Sequence, residues 1–147
     1  MFLRLSVEDN AGFGPDESVR VAQAVAPLGV DVVDCSSGGM TGSPVVSAGP
    51  VSYGYQVPYA ARLRRDGGVM SMAVGLIVHA DQAETILQKG EADLVAIARG
   101  AMDNQDWRMD AAVQHGAAPE NAPPTPALAY RPGSGASPVD TPPPPLR

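Results

Sequence analysis

The chain has 147 residues, room for one domain with a single core, and carries a formal net charge of −6 with 44% hydrophobic residues. Its ten Lys and Arg residues are dispersed along the sequence, which argues against nucleic acid or an anionic membrane as the main partner. A single cysteine excludes an internal disulfide, and Arg4 interrupts the first apolar run before it reaches signal or membrane-spanning length, so a cytoplasmic chain is expected.

Short apolar runs alternate with helical segments, the pattern of βα units and a parallel sheet. The first strand is expected over Phe2–Ser6, followed by a polar loop with Gly12 and Gly14. A helix then runs from Pro15 to Leu28, with Pro15 suited to a first turn, Asp16 and Glu17 complementing the helix dipole, and Gly29 marking the end. Pro27 should distort its last turn.

A second strand is expected over Val30–Ser36, with Cys35 read as a small buried hydrophobe. The Gly-, Ser- and Pro-rich stretch from there to Gln56 is long for a compact domain, which points to a functional loop. Within it Tyr55 and Gln56 are placed at the mouth of a site or, more simply, in the packing of the loop.

A helix over Val57–Arg65 leads to a third strand, Val69–Val74. The next helix, Asp81–Lys89, has Asp81 as N-cap and Gly90 as its stop. A fourth strand is expected over Ala92–Ala98 and a last helix over Asp103–Gln114, with Trp107 and Val113 on its apolar face and Gly116 after it. His79 and His115 are expected to face solvent; with one cysteine they show no metal-ligand spacing. An open four-unit α/β sheet and half of an eight-unit barrel fit this pattern equally well.

From Ala117 to Arg147 the chain holds ten of its fifteen prolines, including Pro142–Pro145, and few large apolar residues. Such a composition cannot bury enough surface to offset ordering, so residues 117–147 are expected to form a disordered tail behind a folded part over 1–116.

Two segments carry most of the chemistry. Ala73-Val74-Gly75-Leu76-Ile77 and Ala96-Ile97-Ala98-Arg99-Gly100 each close a strand-like run with small residues, and the second includes an arginine. A glycine lets backbone approach an anion closely, and a guanidinium matches phosphate oxygens with a planar fork of donors. They read as a phosphate-binding pair centred on Gly75 and Arg99. Taken alone, Gly75 is a glycine ending a strand and Arg4 an exposed residue near a terminus.

Several motifs occur in one order: Phe2-Leu3-Arg4-Leu5-Ser6, Gly29-Val30-Asp31 leading into Cys35-Ser36-Ser37-Gly38-Gly39, Gly54-Tyr55-Gln56-Val57-Pro58-Tyr59-Ala60, Ala73-Val74-Gly75-Leu76-Ile77, Ala92-Asp93-Leu94-Val95 and Ala98-Arg99-Gly100. Over roughly Phe2 to Tyr130 the chain thereby resembles the Old Yellow Enzyme family, in its bacterial ene-reductase or NADPH dehydrogenase branch. The resemblance implies a (β/α)8 barrel with FMN at the carboxyl ends of its strands, of which this chain would supply strands five to eight. A whole barrel takes about 250 residues, so roughly half would lie elsewhere.

The same resemblance implies cofactor-binding roles for five residues. Arg4 would reach the flavin ring and stabilise negative charge on its reduced form, while Gly75, Leu76, Ala98 and Arg99 would hold the FMN phosphate. Many relatives carry glycine where this chain has Ala98, and a backbone N–H remains available there. Tyr130-Arg131 resembles the segment that, in one branch, sends an arginine into a neighbouring subunit, although Pro132 departs from that pattern.

By the same resemblance, hydride would pass from NADPH or NADH through FMN to an activated, enone-type alkene. The substrate-binding pair and the proton-donating tyrosine would lie on the other half, leaving no catalytic residue here. The expected partners are therefore a complementary amino-terminal half or a second copy closing the barrel. The alternative is a catalytically inactive fragment, at most a weak FMN or phosphate binder or an assembly module.

Overall fold

The computed structural model describes residues 1–9, 11–39 and 51–117. The interior of the long loop, the proline-rich tail after Ala117 and Tyr130-Arg131 lie outside the described residues. The chain divides into two compact units, Met1–Ala98 and the segment from Arg99 onward.

The first unit contains β1 (Phe2–Ser6), α1 (Pro15–Val25), β2 (Val32–Ser36), α2 (Val57–Asp66), β3 (Met70–Ala73), α3 (Ala80–Gln88) and β4 (Leu94–Val95). All four strands are parallel and lie in the order β1-β2-β3-β4. This is the α/β architecture of a partial barrel-type domain.

Local chemistry explains the first helix. Pro15 opens α1, the Glu17 carboxylate accepts the Gly14 N–H at 3.2 Å, and Pro27 converts the last turn into a 3-10 segment over Ala26–Leu28. Gly29 ends it at φ +93, the left-handed conformation that glycine adopts without strain. The buried Ser18 hydroxyl donates to the Val7 carbonyl at 2.9 Å and ties α1 to the end of β1.

Residues in register across parallel strands share a face. One face therefore carries Phe2, Arg4, Ser6, Val32, Asp34, Ser36, Met70, Met72 and Leu94, and the other Leu3, Leu5, Val33, Cys35, Ser71, Ala73 and Val95. Because the strands follow one another in sequence order, crossovers of one hand place α1, α2 and α3 on the same side. Val33, Cys35, Ser71 and Ala73 are fully buried on that side, with Ala22 of α1 and Ala60 and Leu63 of α2 equally buried in the helical layer. The opposite face is open in part: Phe2 is 63% exposed, Met70 49% and Leu94 39%, while Val32 and Asp34 of β2 are buried.

Three expectations are corrected. The fourth strand is only Leu94–Val95. It is an edge strand pairing with β3 alone; single bonds, Asp93 N–H to Ser71 and Ala96 N–H to Ala73, carry the pairing one residue beyond each end. The N-cap of α3 is His79, with Asp81 already inside the first turn.

The third correction lies in the second unit, where the expected last helix is two helices, α4 (Arg99–Asp103) and α5 (Trp107–Gln114). Asn104 separates them: its side-chain oxygen accepts the Asp106 N–H at 3.0 Å, and its amide nitrogen donates to Asp110 at 2.7 Å. A local side-chain turn of this kind competes with helix continuation. Met109, rather than Trp107 or Val113, is the buried residue of α5, and Val113 is half exposed.

Candidate functional site

The carboxyl ends of β1, β2 and β3 meet in a network of polar side chains. The Ser6 hydroxyl donates to the Gly38 carbonyl at 2.8 Å, and the Gly38 N–H donates to the Glu8 carbonyl at 2.7 Å. Tyr59 of α2 donates its hydroxyl to the Glu8 carboxylate at 2.5 Å. Burial, the Glu8 hydrogen bond and the Glu8 charge together push the Tyr59 phenol up to about 12. Gln56, buried one residue before α2, donates from Nε2 to the Ser37 hydroxyl at 2.6 Å.

Gly75 lies at this rim, two residues beyond β3. Its φ of +104 suits glycine alone, and a Cβ there would sit 2.7 Å from Gln56 Oε1. Its carbonyl accepts the Gly54 N–H at 3.0 Å. Leu76 follows at φ +51, the one non-glycine residue at positive φ among those described. A side chain in that region costs about 1–3 kcal/mol and persists only where its surroundings over-determine it. Two consecutive residues at positive φ form a tight, glycine-dependent turn able to present backbone N–H groups to an anion.

Arg4 stands two strands away on the open face, with its side chain 61% exposed. It donates to the Asp34 carboxylate at 2.7 Å and to the Ser36 hydroxyl at 3.1 Å. The other Asp34 oxygen, Oδ1, is buried without a hydrogen-bond partner. An exposed guanidinium with donors to spare suits an anionic group, whereas the unpartnered Asp34 oxygen, itself an acceptor, calls for a donor.

Of the remaining predicted residues, Ala98 is exposed and closes the first unit, three residues beyond β4. The Ala96 N–H to Ala73 bond at 2.8 Å keeps the segment leading to it beside the end of β3. Arg99 is exposed and opens the second unit as the first residue of α4.

Cys35 is fully buried on the helix-covered face, and burial, with the Asp34 charge adding, pushes its thiol up to about 12. It is an inert core residue, as its apolar strand suggested. His79 and His115 are exposed, and His79 meets Tyr53 edge-on at 5.5 Å. Among the described residues no helix is long and apolar enough to cross a membrane.

Residues 1–117 match the NADH:flavin oxidoreductase / NADH oxidase family. The chain belongs to that family. It is 38% identical over 118 residues to the NADPH dehydrogenases of Halalkalibacterium halodurans and of a Geobacillus species, and 37% identical to that of Listeria monocytogenes. Each match covers 79% of this chain and 34% of the relative, so the chain spans about a third of the length of the curated relatives it matches.

Sequence reasoning singled out Gly75 and Leu76 but not the side chains that hold them. Gln56 was weighed as a packing residue, and packing is what it does, against Gly75 and Ser37. Gln82, whose side-chain amide bonds the Leu76 carbonyl and the Val78 N–H, gave no signal, because a lone glutamine on a helix reads as solvent-facing.

Proposed function

We propose that this chain is the FMN-binding portion of an FMN-dependent oxidoreductase. The observation that carries the reading is the Gly75–Leu76 turn, two residues held at positive φ at the carboxyl end of a parallel strand in a chain of the NADH:flavin oxidoreductase family. FMN with NADPH or NADH as hydride donor is the cofactor set that this membership and the relatives' names support.

Gly75, Leu76 and Ala98 would offer backbone donors to the FMN phosphate, and Arg99 a guanidinium fork. Arg4 would supply positive charge that favours the reduced flavin. Its ion pair with Asp34 uses part of its donor capacity and fixes the direction of the rest. Bound FMN supplies the hydride-transfer chemistry, from the nicotinamide to an activated, enone-type alkene.

The test is titration of the purified chain with FMN, followed by flavin fluorescence and absorbance, beside Arg99→Ala and Arg4→Ala. Saturable binding that weakens at least tenfold in Arg99→Ala is expected, with a smaller loss in Arg4→Ala. A folded sample that shows no binding overturns the reading.

The open sheet face favours a second reading, in which the chain is an assembly module that is inactive alone. Parallel sheets are normally covered on both faces, and here Phe2, Met70 and Leu94 are exposed on one. A complementary amino-terminal half, or a second copy, would cover that face and the two free edges. Ene-reductase turnover appearing only when an amino-terminal half from a relative is added would join the two readings; sedimentation showing a monomer at all concentrations would remove the second copy.

A further inference from the structure

Leu76 is an unusual residue to find at φ +51, and something other than its own preference must keep it there. Gln82, in the first turn of α3, reaches back to the turn with its primary amide. Its Nε2 donates to the Leu76 carbonyl at 3.0 Å, and its Oε1 accepts the Val78 N–H at 3.0 Å. One planar amide thus satisfies an acceptor and a donor two residues apart, at the carboxyl-terminal side of the turn. Glutamine offers a donor and an acceptor together at neutral pH; glutamate lacks the donor, and methionine has no donor and only a weak acceptor.

The opposite side of the turn is held as well. Gly54 donates to the Gly75 carbonyl at 3.0 Å, and Gln56 packs so closely on Gly75 that a Cβ there would meet its Oε1 at 2.7 Å. Gly54 is itself at φ +70, and a Cβ on it would lie 3.4 Å from Gln82 Nε2. The turn is therefore clamped between the segment before α2 and the first turn of α3. The hydrogen bonds to Leu76 C=O and Val78 N–H, at the turn's carboxyl-terminal side, come from a single side chain.

We propose that Gln82 is a positioning residue for phosphate: it fixes the Leu76 backbone so that the turn's N–H groups stay aimed at the phosphate of the bound flavin nucleotide. The inference rests on the phosphate reading of this turn given above. Gln82 touches neither flavin nor hydride donor. Its effect passes through the backbone of residues 76–78, so its loss should weaken recognition of the phosphate and leave recognition of the flavin ring alone.

FMN and riboflavin share the ring and ribityl chain and differ in the phosphate, so the pair separates these contributions. The wild-type chain, Gln82→Met and Gln82→Ala are titrated with both at one ionic strength, after circular dichroism has shown that each is folded. Binding of FMN at least fivefold weaker in both variants, with riboflavin unchanged, is the expected result. A ratio of FMN to riboflavin affinity equal to that of the wild type, whether both ligands weaken or neither does, overturns the proposal.

If the folded wild type binds neither flavin, the phosphate reading falls by itself, and the clamp is judged by amide hydrogen exchange. Exchange at Val78 at least tenfold faster in Gln82→Met, with the amides of the α3 interior unchanged, shows that Gln82 holds the turn. Unchanged exchange at Val78 removes that role too.

Discussion

The two faces of the sheet are made from alternate residues of the same four strands, yet they are buried unequally. On the helix-covered face Val33, Cys35, Ser71 and Ala73 are lost to solvent completely; on the other, Phe2, Met70 and Leu94 remain open and Arg4 pairs with Asp34. The difference teaches that helical cover buries the inner strands on one face, whereas the other face is shielded only at β2, where Val32 and Asp34 are buried. Stability should reside in the covered layer and binding chemistry at the rim and on the open face.

The largest effect should come from Leu63, the largest fully buried side chain, which α2 inserts into the covered layer. Leu63→Ala is expected to cost about 2–5 kcal/mol, from lost burial and the cavity left behind. Urea denaturation followed by circular dichroism measures it. A cost under about 1 kcal/mol would mean that the covered layer is not the core and would break the comparison.

Next in size is Gly75→Ala, at the rim. The new Cβ would strike Gln56 Oε1 and occupy a φ of +104, so a loss of about 1–3 kcal/mol is expected, the range for strained backbone. The double variant Gly75→Ala with Gln56→Ala relieves the collision and leaves the backbone strain. Recovery of part of the loss, measured as a coupling between the two sites, would locate the collision where the structure has it; strict additivity would not.

Alkaline titration sharpens the comparison from the covered side. Burial raises the Cys35 thiol from its ordinary 9.0 to about 12, and burial with the Glu8 hydrogen bond raises the Tyr59 phenol from 10.0 to about 12. The folded chain therefore keeps two protons that the unfolded chain gives up. Their contribution is complete below pH 9 and is lost as pH rises toward 12. Urea midpoints should fall between pH 9 and 11, and Cys35→Ala should flatten the part that begins near 9 while Tyr59→Phe flattens the part that begins near 10. A midpoint constant from pH 8 to 11 would contradict both assignments. Thiol reagents should leave native Cys35 unmodified, because a neutral, buried thiol is a poor nucleophile.

Most of the strand and helix order was legible because its signals are local. Pro15, Pro27 and Gly29 bracket α1 through backbone restrictions that act within one turn, and the parallel order follows from the alternation itself. What escaped depends on contacts distant in sequence or on side-chain competition. The break between α4 and α5 comes from Asn104 bonding to Asp106 and Asp110, a choice between two hydrogen-bonding patterns that helical periodicity does not reveal. The shortness of β4, against five residues in β1 at the other edge, depends on which of its backbone groups meet β3, and a local apolar run does not reveal that. At the site, Gly75 stood out only through its pairing with Arg99, since a glycine ending a strand carries no signal alone, whereas Gln82 acquires meaning only when α3 folds back onto residues 76–78.

The smallest expected effects are those on the open face, and they bear on whether the two faces stay different in solution. Phe2→Ser and Met70→Ser each remove an exposed apolar side chain, so in a dilute monomer each should change stability by less than about 0.5 kcal/mol. The same pair of substitutions acquires a larger cost once something covers the face, because burial is then lost with the side chain. Denaturation midpoints measured at low and high chain concentration separate the cases. Equal midpoints for wild type and variants at both concentrations keep this face open and leave a complementary chain to cover it. A penalty that grows with concentration would show that the chain covers the face with a second copy of itself, since only a self-associating surface makes a point substitution concentration-dependent.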